Sequence, residues 1–156
     1  MQKYGFKNIA LHVNGQIITG FADGDDVISG KRRVDPFSDK MGADGRMLVV
    51  ENADKSGEIV FKLMQNSEGS AKMGAMFALQ EKDSFGSVQV NWRNMMPGGE
   101  SVTGTQGYIK KPADITRGAG ANTEEWTIVV EDYESFFGHL SPLGAALNFV
   151  ASAFGL

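Results

Sequence analysis

In four segments of this chain apolar side chains fall on every second residue: Ile9, Leu11 and Val13; Ile59, Phe61 and Leu63; Val88, Val90 and Trp92; and Trp126, Ile128 and Val130. A two-residue period is that of a strand with one buried face. Only one internal segment carries the helical period. There Met73, Met76, Phe77 and Gln80 recur at i, i+3, i+4 and i+7, with Ser67 or Ser70 placed to cap the first turn. Strands and helices therefore do not alternate, which argues against parallel βαβ folds. The pattern predicts a mainly β protein: an antiparallel sandwich or barrel of about seven or eight strands with one flanking helix over about 70–82.

Local signals place most of the strands. Asn14-Gly15 follows the first alternating run, and this pair favours a type I′ turn because both central residues need positive φ, so "QIITGF" returns as the second strand. A short strand is expected near Asp26–Val34, then a loop through "DPFSDKMGADG". "RMLVVEN" restarts the strand pattern, "ADKSG" turns, and "EIVFKLMQ" is expected to pair back on it. Three later strands are read in "GSVQVNWRN", "ESVTGTQGYIKK" and "EEWTIVVEDY", the last two joined by the turn-rich "PADITRGAGANT". Twenty glycines against four prolines suit this count of turns and short extended segments.

The chain has 156 residues, about one domain, and 42% apolar residues with net charge −4 are ordinary for a soluble globular protein. Zero cysteines exclude disulfides, thiolate metal sites and cysteine nucleophiles, and fit a protein made in a reducing compartment. No N-terminal stretch resembles a signal peptide, and no apolar run approaches the ~18–20 residues of a membrane span, so no membrane association is expected. Mild acidity opposes a sequence-independent grip on DNA, which depends on Lys and Arg meeting phosphates.

The densest charge lies in "GFADGDDVISGKRR", where Asp23, Asp25 and Asp26 precede Lys31, Arg32 and Arg33. Read as a calcium loop starting at Asp23, position five is Val27, the glycine position is Ile28 and the bidentate acid is Val34. The motif fails, and no metal is expected. His12 and His139 stand in no zinc-binding spacing, and neither a G-x-S-x-G elbow nor a phosphate-binding glycine loop occurs. No catalytic residue and no cofactor are assigned, and the chain is not expected to be an enzyme. "ADG" recurs at 22–24 and 43–45, and the two turns bracket the cations and Phe37. These read as two corners of one excursion from the sheet, whose opposite charges suit pairing across an interface. An excursion this long is usually functional.

The C-terminus differs from the body. Residues 135–156 hold no Asp, Glu, Lys or Arg, and Leu143, Leu147, Val150 and Phe154 form a helical stripe behind Pro142. A second stripe of Ala146, Phe149 and Ala153 makes the segment apolar on more than one face. The chain thus divides into a β domain over 1–138 and an apolar helical segment over 139–156. That segment packs either on its own domain or on a neighbouring copy.

The segments "YGFKNIALHVNGQIITGFADGDDVI", "RRVDPFSDKMGADGRM", "SGEIVFKLMQNSE" and "EEWTIVVEDYESFFG" resemble the tail tube proteins of contractile-tailed bacteriophages. The likeness extends to about Gly138, and "GFADGDDVI" with "GADGRM" are its most specific parts. The resemblance implies a β-sandwich or barrel with a flanking helix, related to the ring-forming tube protein of type VI secretion. It implies homohexameric rings stacked into a hollow tube, sheath protein outside, and tape-measure protein and passing DNA in the lumen without sequence-specific binding. Baseplate proteins would be further partners. The resemblance thus implies a virion structural protein, assembled in the bacterial host cytoplasm, that forms the conduit for DNA ejection. The extended loop 30–46 matches the segment that bridges subunits or rings. Candidate inter-subunit residues are Asp23, Asp25, Asp26, Lys31, Arg32, Arg33, Asp35, Phe37, Asp39, Asp44 and Arg46, with Leu147, Val150 and Phe154 from the C-terminal segment. A tube-fold adaptor or initiator ring at the baseplate or tail terminus is the runner-up. A calcium- or small-ligand-binding β-barrel module is the reading from another class.

Overall fold

The computed structural model describes residues 4–82 and 86–138, with residues 153 and 155. The expected C-terminal helix, with Leu147, Val150 and Phe154, lies outside the described residues. The first hairpin joins β1 (Ile9–Val13) to β2 (Gln16–Ile18). Its turn has Asn14 at φ 51° and Gly15 at φ 78°, as a type I′ turn requires. The Asn14 side chain and backbone both bond Gln89, so the turn is fixed to the neighbouring strand.

Seven strands form one antiparallel sheet. Beyond β1 and β2 these are β3 (Ile28–Arg32), β6 (Gly57–Met64), β7 (Val88–Asn94), β8 (Ser101–Lys111) and β9 (Thr123–Phe136), in the order β2-β1-β7-β8-β9-β6-β3. Among the described residues the fold is mainly β and antiparallel with one α-helix, as the alternation predicts. The sheet stays open, with β2 and β3 as edges, rather than closing into a barrel. It nevertheless wraps one core. Leu11, Val13, Ile59, Phe61, Leu63, Val88, Val90, Ile109, Ile128 and Val130 are almost wholly buried in a single cluster.

A paired irregularity bends the sheet across its long strands. In β8 the inward residues are Val102 and Gly104, then Gly107 and Ile109; in β9 they are Ile128 and Val130, then Tyr133. Both strands change parity at the same level, and Gln106 there takes φ 55°. The register with β7 breaks at this point, between Val88 and Val90. Glycine is required beside it: a Cβ at Gly104 would stand 2.6 Å from Val130 Cγ1.

The helix α1 (Glu68–Glu81) starts two residues earlier than expected because Ser67 caps it, accepting the Ser70 N–H at 3.2 Å. Met73 and Met76 enter the core. Gln80 both donates to and accepts from the Ile109 backbone, at 2.9 and 2.8 Å, which satisfies β8 past the end of its pairing with β7. A second tie runs from buried Glu124 on β9. It accepts from Ser70 Oγ and pairs with Arg117 at 2.9 Å, holding the 112–122 connector to the helix start.

Candidate assembly interface

Between β3 and β6 the chain leaves the sheet. A bond from Arg33 N to Ser56 O at 3.1 Å closes the base of the excursion, and Asn52 N donates to Pro36 O at 2.8 Å further out. Beyond these, β4 (Phe37–Met41) and β5 (Met47–Glu51) form a separate two-stranded sheet. The turn "GADGR" joins them, with Gly42 N bonding Arg46 O at 2.7 Å and Asp44 Oδ1 accepting from Arg46 N at 3.1 Å. Asp44 and Arg46 also face one another at 3.9 Å, both largely in water.

Two expectations are corrected here. Residues 37–41 form a strand rather than a loop, and 47–51 pairs with it rather than with 57–64. The reason lies in 52–56, which does not reverse the chain. Asn52 Oδ1 accepts from Asp54 N at 3.0 Å and Asp54 Oδ1 from Ser56 N at 2.8 Å, a run of local bonds that carries the chain back to the sheet. The bonds from Ser56, helped by Arg33 and Arg32, hold the Asp54 carboxyl below the usual range. The partner of β6 is instead β9, along its whole length, with β3 on the other side.

Every residue from 37 to 55 is exposed. Six are large and apolar: Phe37 (63% exposed), Met41 (57%), Met47 (58%), Leu48 (65%), Val49 (56%) and Val50 (47%). The register divides the arm into two faces. Phe37, Asp39, Met41, Met47, Val49 and Glu51 share one, and Ser38, Lys40, Leu48 and Val50 the other. Strand β5 is apolar on both faces, the pattern of a strand covered on two sides. No described residue of the subunit covers it.

The structure separates the charges that sequence spacing had grouped. Asp23 and Asp25 are exposed in the bend before Val27, while Asp26 turns back to Lys62 at 3.3 Å. That bend is stitched to β6 through Ala22 N to Lys62 O and Lys62 N to Val27 O. Lys31 and Arg32 lie on β3 opposite Glu58 and Gly57, roughly 15 Å along β6 from Lys62 at ~3.3 Å per residue. The excursion thus begins at Arg33, and the three aspartates belong to the sheet body. Asp35, Phe37, Asp39, Asp44 and Arg46 do lie on the arm or its approach. Among the described residues no three His, Asp or Glu side chains converge as metal ligands would. Sequence reasoning missed Met41, Met47, Leu48, Val49 and Val50. Their signal was the unbroken apolar run "MLVV" inside an otherwise polar stretch.

Among the described residues the chain is thus an antiparallel sheet with one covering helix and a projecting, exposed apolar hairpin. The family model of the bacteriophage PhiTE tail tube protein matches residues 1–138, and the chain belongs to that family. It is a structural component of a phage tail, hence of the virion, and not an enzyme. No curated protein matches it in sequence. Among solved structures, the anti-feeding prophage tube-terminating cap has TM-score 0.57 at 7% identity, covering 88% of this chain and 93% of that one. The sheath/tube terminator of the extracellular contractile injection system PVC, in the extended state, has TM-score 0.57 at 9% identity, covering 87% and 98%. A chain of the extended PVC sheath-tube complex has TM-score 0.56 at 9% identity, covering 86% and 92%. At these identities the likeness is one of fold. Among the described residues no helix is long and apolar enough to cross a membrane.

Proposed function

We propose that this chain is the tube subunit of a contractile phage tail. It closes into homohexameric rings that stack into a conduit for DNA ejection, assembled in the host cytoplasm. The observation that carries this reading is the arm, whose six large apolar side chains stand in water unless another copy covers them. Burying a side chain of this size contributes ~1.5–3 kcal/mol when complete. These are about half exposed, so each offers roughly 1 kcal/mol to a contact. The arm then bridges copies in neighbouring subunits or rings, with Lys31, Arg32 and Arg33 at its root and Asp39, Asp44 and Arg46 along it setting register. Sheath protein meets the outer surface, tape-measure protein and DNA pass inside, and baseplate proteins meet one end. Negative-stain microscopy of the concentrated protein tests the reading: rings or tubes are expected, and monomers at every concentration, with or without phage partners, would overturn it.

A second reading is favoured by the cap and terminator structures among the fold neighbours. In it the same subunit forms a single adaptor, initiator or terminating ring. Counting rings per particle decides: one supports the terminal ring, many the tube.

A further inference from the structure

The sheet has two edge strands, and they are not equally open. On β2 the outward backbone groups are those of Ile17, because its neighbours Gln16 and Ile18 bond back to β1. Lys72 on α1 donates to the Ile17 carbonyl at 3.0 Å, and the helix start lies too close to Thr19 O to admit a side chain at Gly69. That edge is covered. On β3, Lys62 N bonds Val27 O at 2.8 Å and Arg33 N bonds Ser56 O at 3.1 Å, so Val27, Ser29, Lys31 and Arg33 turn their backbone groups towards β6. Ile28, Gly30 and Arg32 therefore turn theirs out of the sheet, and among the described residues no strand pairs with them. An edge left in this state is a template for another strand. Beside it the core opens into a hollow of about 250 Å³, walled among others by Ile28, Tyr133 and Phe136.

The arm carries the complement. Gly42 with Arg46 and Pro36 with Asn52 are bonded pairs of its hairpin, so the alternate positions face outwards. Met47, Val49 and Glu51 turn their backbone groups away from β4, and Phe37, Asp39 and Met41 turn theirs away from β5. Of these two free edges β5 suits β3. Lys31, Arg32 and Arg33 line the β3 edge and oppose a strand that bears Lys40, whereas β5 has no cation and ends in Glu51. Being apolar on both faces, β5 can also lay alternate side chains over the hollow. We propose that β5 of a second copy adds as a strand to the β3 edge. The inference rests on the tube-subunit reading and names the surface that receives the arm. The contact is heterologous: each copy gives β5 and receives at β3, so it extends to a ring or filament instead of stopping at a dimer.

The test uses the full chain. It has no cysteine, so Ser29→Cys, exposed on β3, can carry a single benzophenone. In the assembled protein, crosslinks from one copy to residues 47–51 of another are expected. Two proline variants probe the edges. Val49 and Asp39 are cross-strand partners whose N–H groups both point away from the hairpin, so proline at either leaves the arm's own bonds in place. Val49→Pro should raise the concentration needed for assembly by about tenfold or more, through a lost bond and a stranded carbonyl. Asp39→Pro, on the other edge, should change it by no more than about twofold. Rings or tubes that form without the crosslink to 47–51, or a Val49→Pro protein that assembles like the parent, overturn the strand addition and leave the tube reading standing. Crosslinks into 37–41, or loss of assembly in Asp39→Pro, also overturn it, by making β4 the added strand. Monomers at every concentration overturn both.

Discussion

Val49 and Val50 are adjacent, both about half exposed, and lie on opposite faces of the arm. Replacing either with threonine keeps the β-branched shape and the strand propensity and exchanges one methyl for a hydroxyl. In the free subunit that hydroxyl stays in water, so stability should move by no more than about 0.5 kcal/mol. Where a neighbouring copy covers the face, the hydroxyl is buried without a partner at ~1–3 kcal/mol. At about 1.4 kcal/mol per tenfold, the concentration at which assemblies appear should rise roughly five- to hundredfold. Because β5 is apolar on both faces, Val49→Thr and Val50→Thr should each raise that threshold. Light scattering across a dilution series measures it, and thermal unfolding of the dilute protein checks the monomer. If only one variant raises the threshold, the arm lies on a single surface with its other face in water. If neither does, the arm is not part of the interface, whatever the microscopy shows.

Reversing Arg32 and Arg33 to glutamate should weaken assembly more than folding, since Arg33 is exposed at the arm root and Arg32 half-buried; an equal loss of monomer thermal stability would refute that. Asp54 has a depressed folded-state pKa, so its support of the arm root is present above the ordinary value of 3.8 and is lost as pH falls through the lower folded value. The protection of the Ser56 amide, measured relative to its intrinsic exchange rate at each pH, should therefore fall only in that acidic window, and a loss of protection near neutrality would point to another group. Glu124→Ala should destabilise the subunit by about 1–3 kcal/mol in urea unfolding, because it strands the buried Ser70 hydroxyl, while half-exposed Arg117 can turn to water. A neutral result would mean that the helix start does not depend on this tie.

What the sequence displayed depended on what the subunit itself buries. β1, β6, β7 and β9 alternate visibly because one face of each meets the core. Glu124 stands in phase with Trp126 and Ile128 and is buried with them, but a carboxylate adds no apolar signal and the sequence reading did not single it out. The bend across β8 and β9 was not legible: its parity change passes through Gly104, Gln106 and Gly107, which carry no apolar contrast to count. The pairing of β5 was hidden for a different reason. Alternation records one buried and one wet face, and inside the subunit β5 has two wet ones. Under the proposed assembly, its "MLVV" run would be covered by a neighbouring copy. Local disagreement between a sequence run and its exposure is where function is expected to sit.

The arm must also keep a free subunit soluble while it carries that run, and its charges are distributed accordingly. Asp39 and Lys40 lie on β4 and Asp44 and Arg46 in the turn, whereas β5 has only Glu51 at its end. Charges beside an apolar strand are a common guard against indiscriminate pairing. If this division directs assembly, position matters and composition does not. Lys40 and Leu48 are cross-strand partners on one face, so Lys40→Leu with Leu48→Lys exchanges them without changing composition, net charge or the pair itself. Monomer stability and solubility should be unchanged. Assembly should need about tenfold higher concentration or more, because a leucine's burial on β5 is lost and an ammonium takes its place. The single Lys40→Leu variant, apolar on both strands, should assemble at least as readily but aggregate without forming rings. An exchanged protein that assembles like the parent would show that the arm works through its total apolar surface, with no distinction between its two strands.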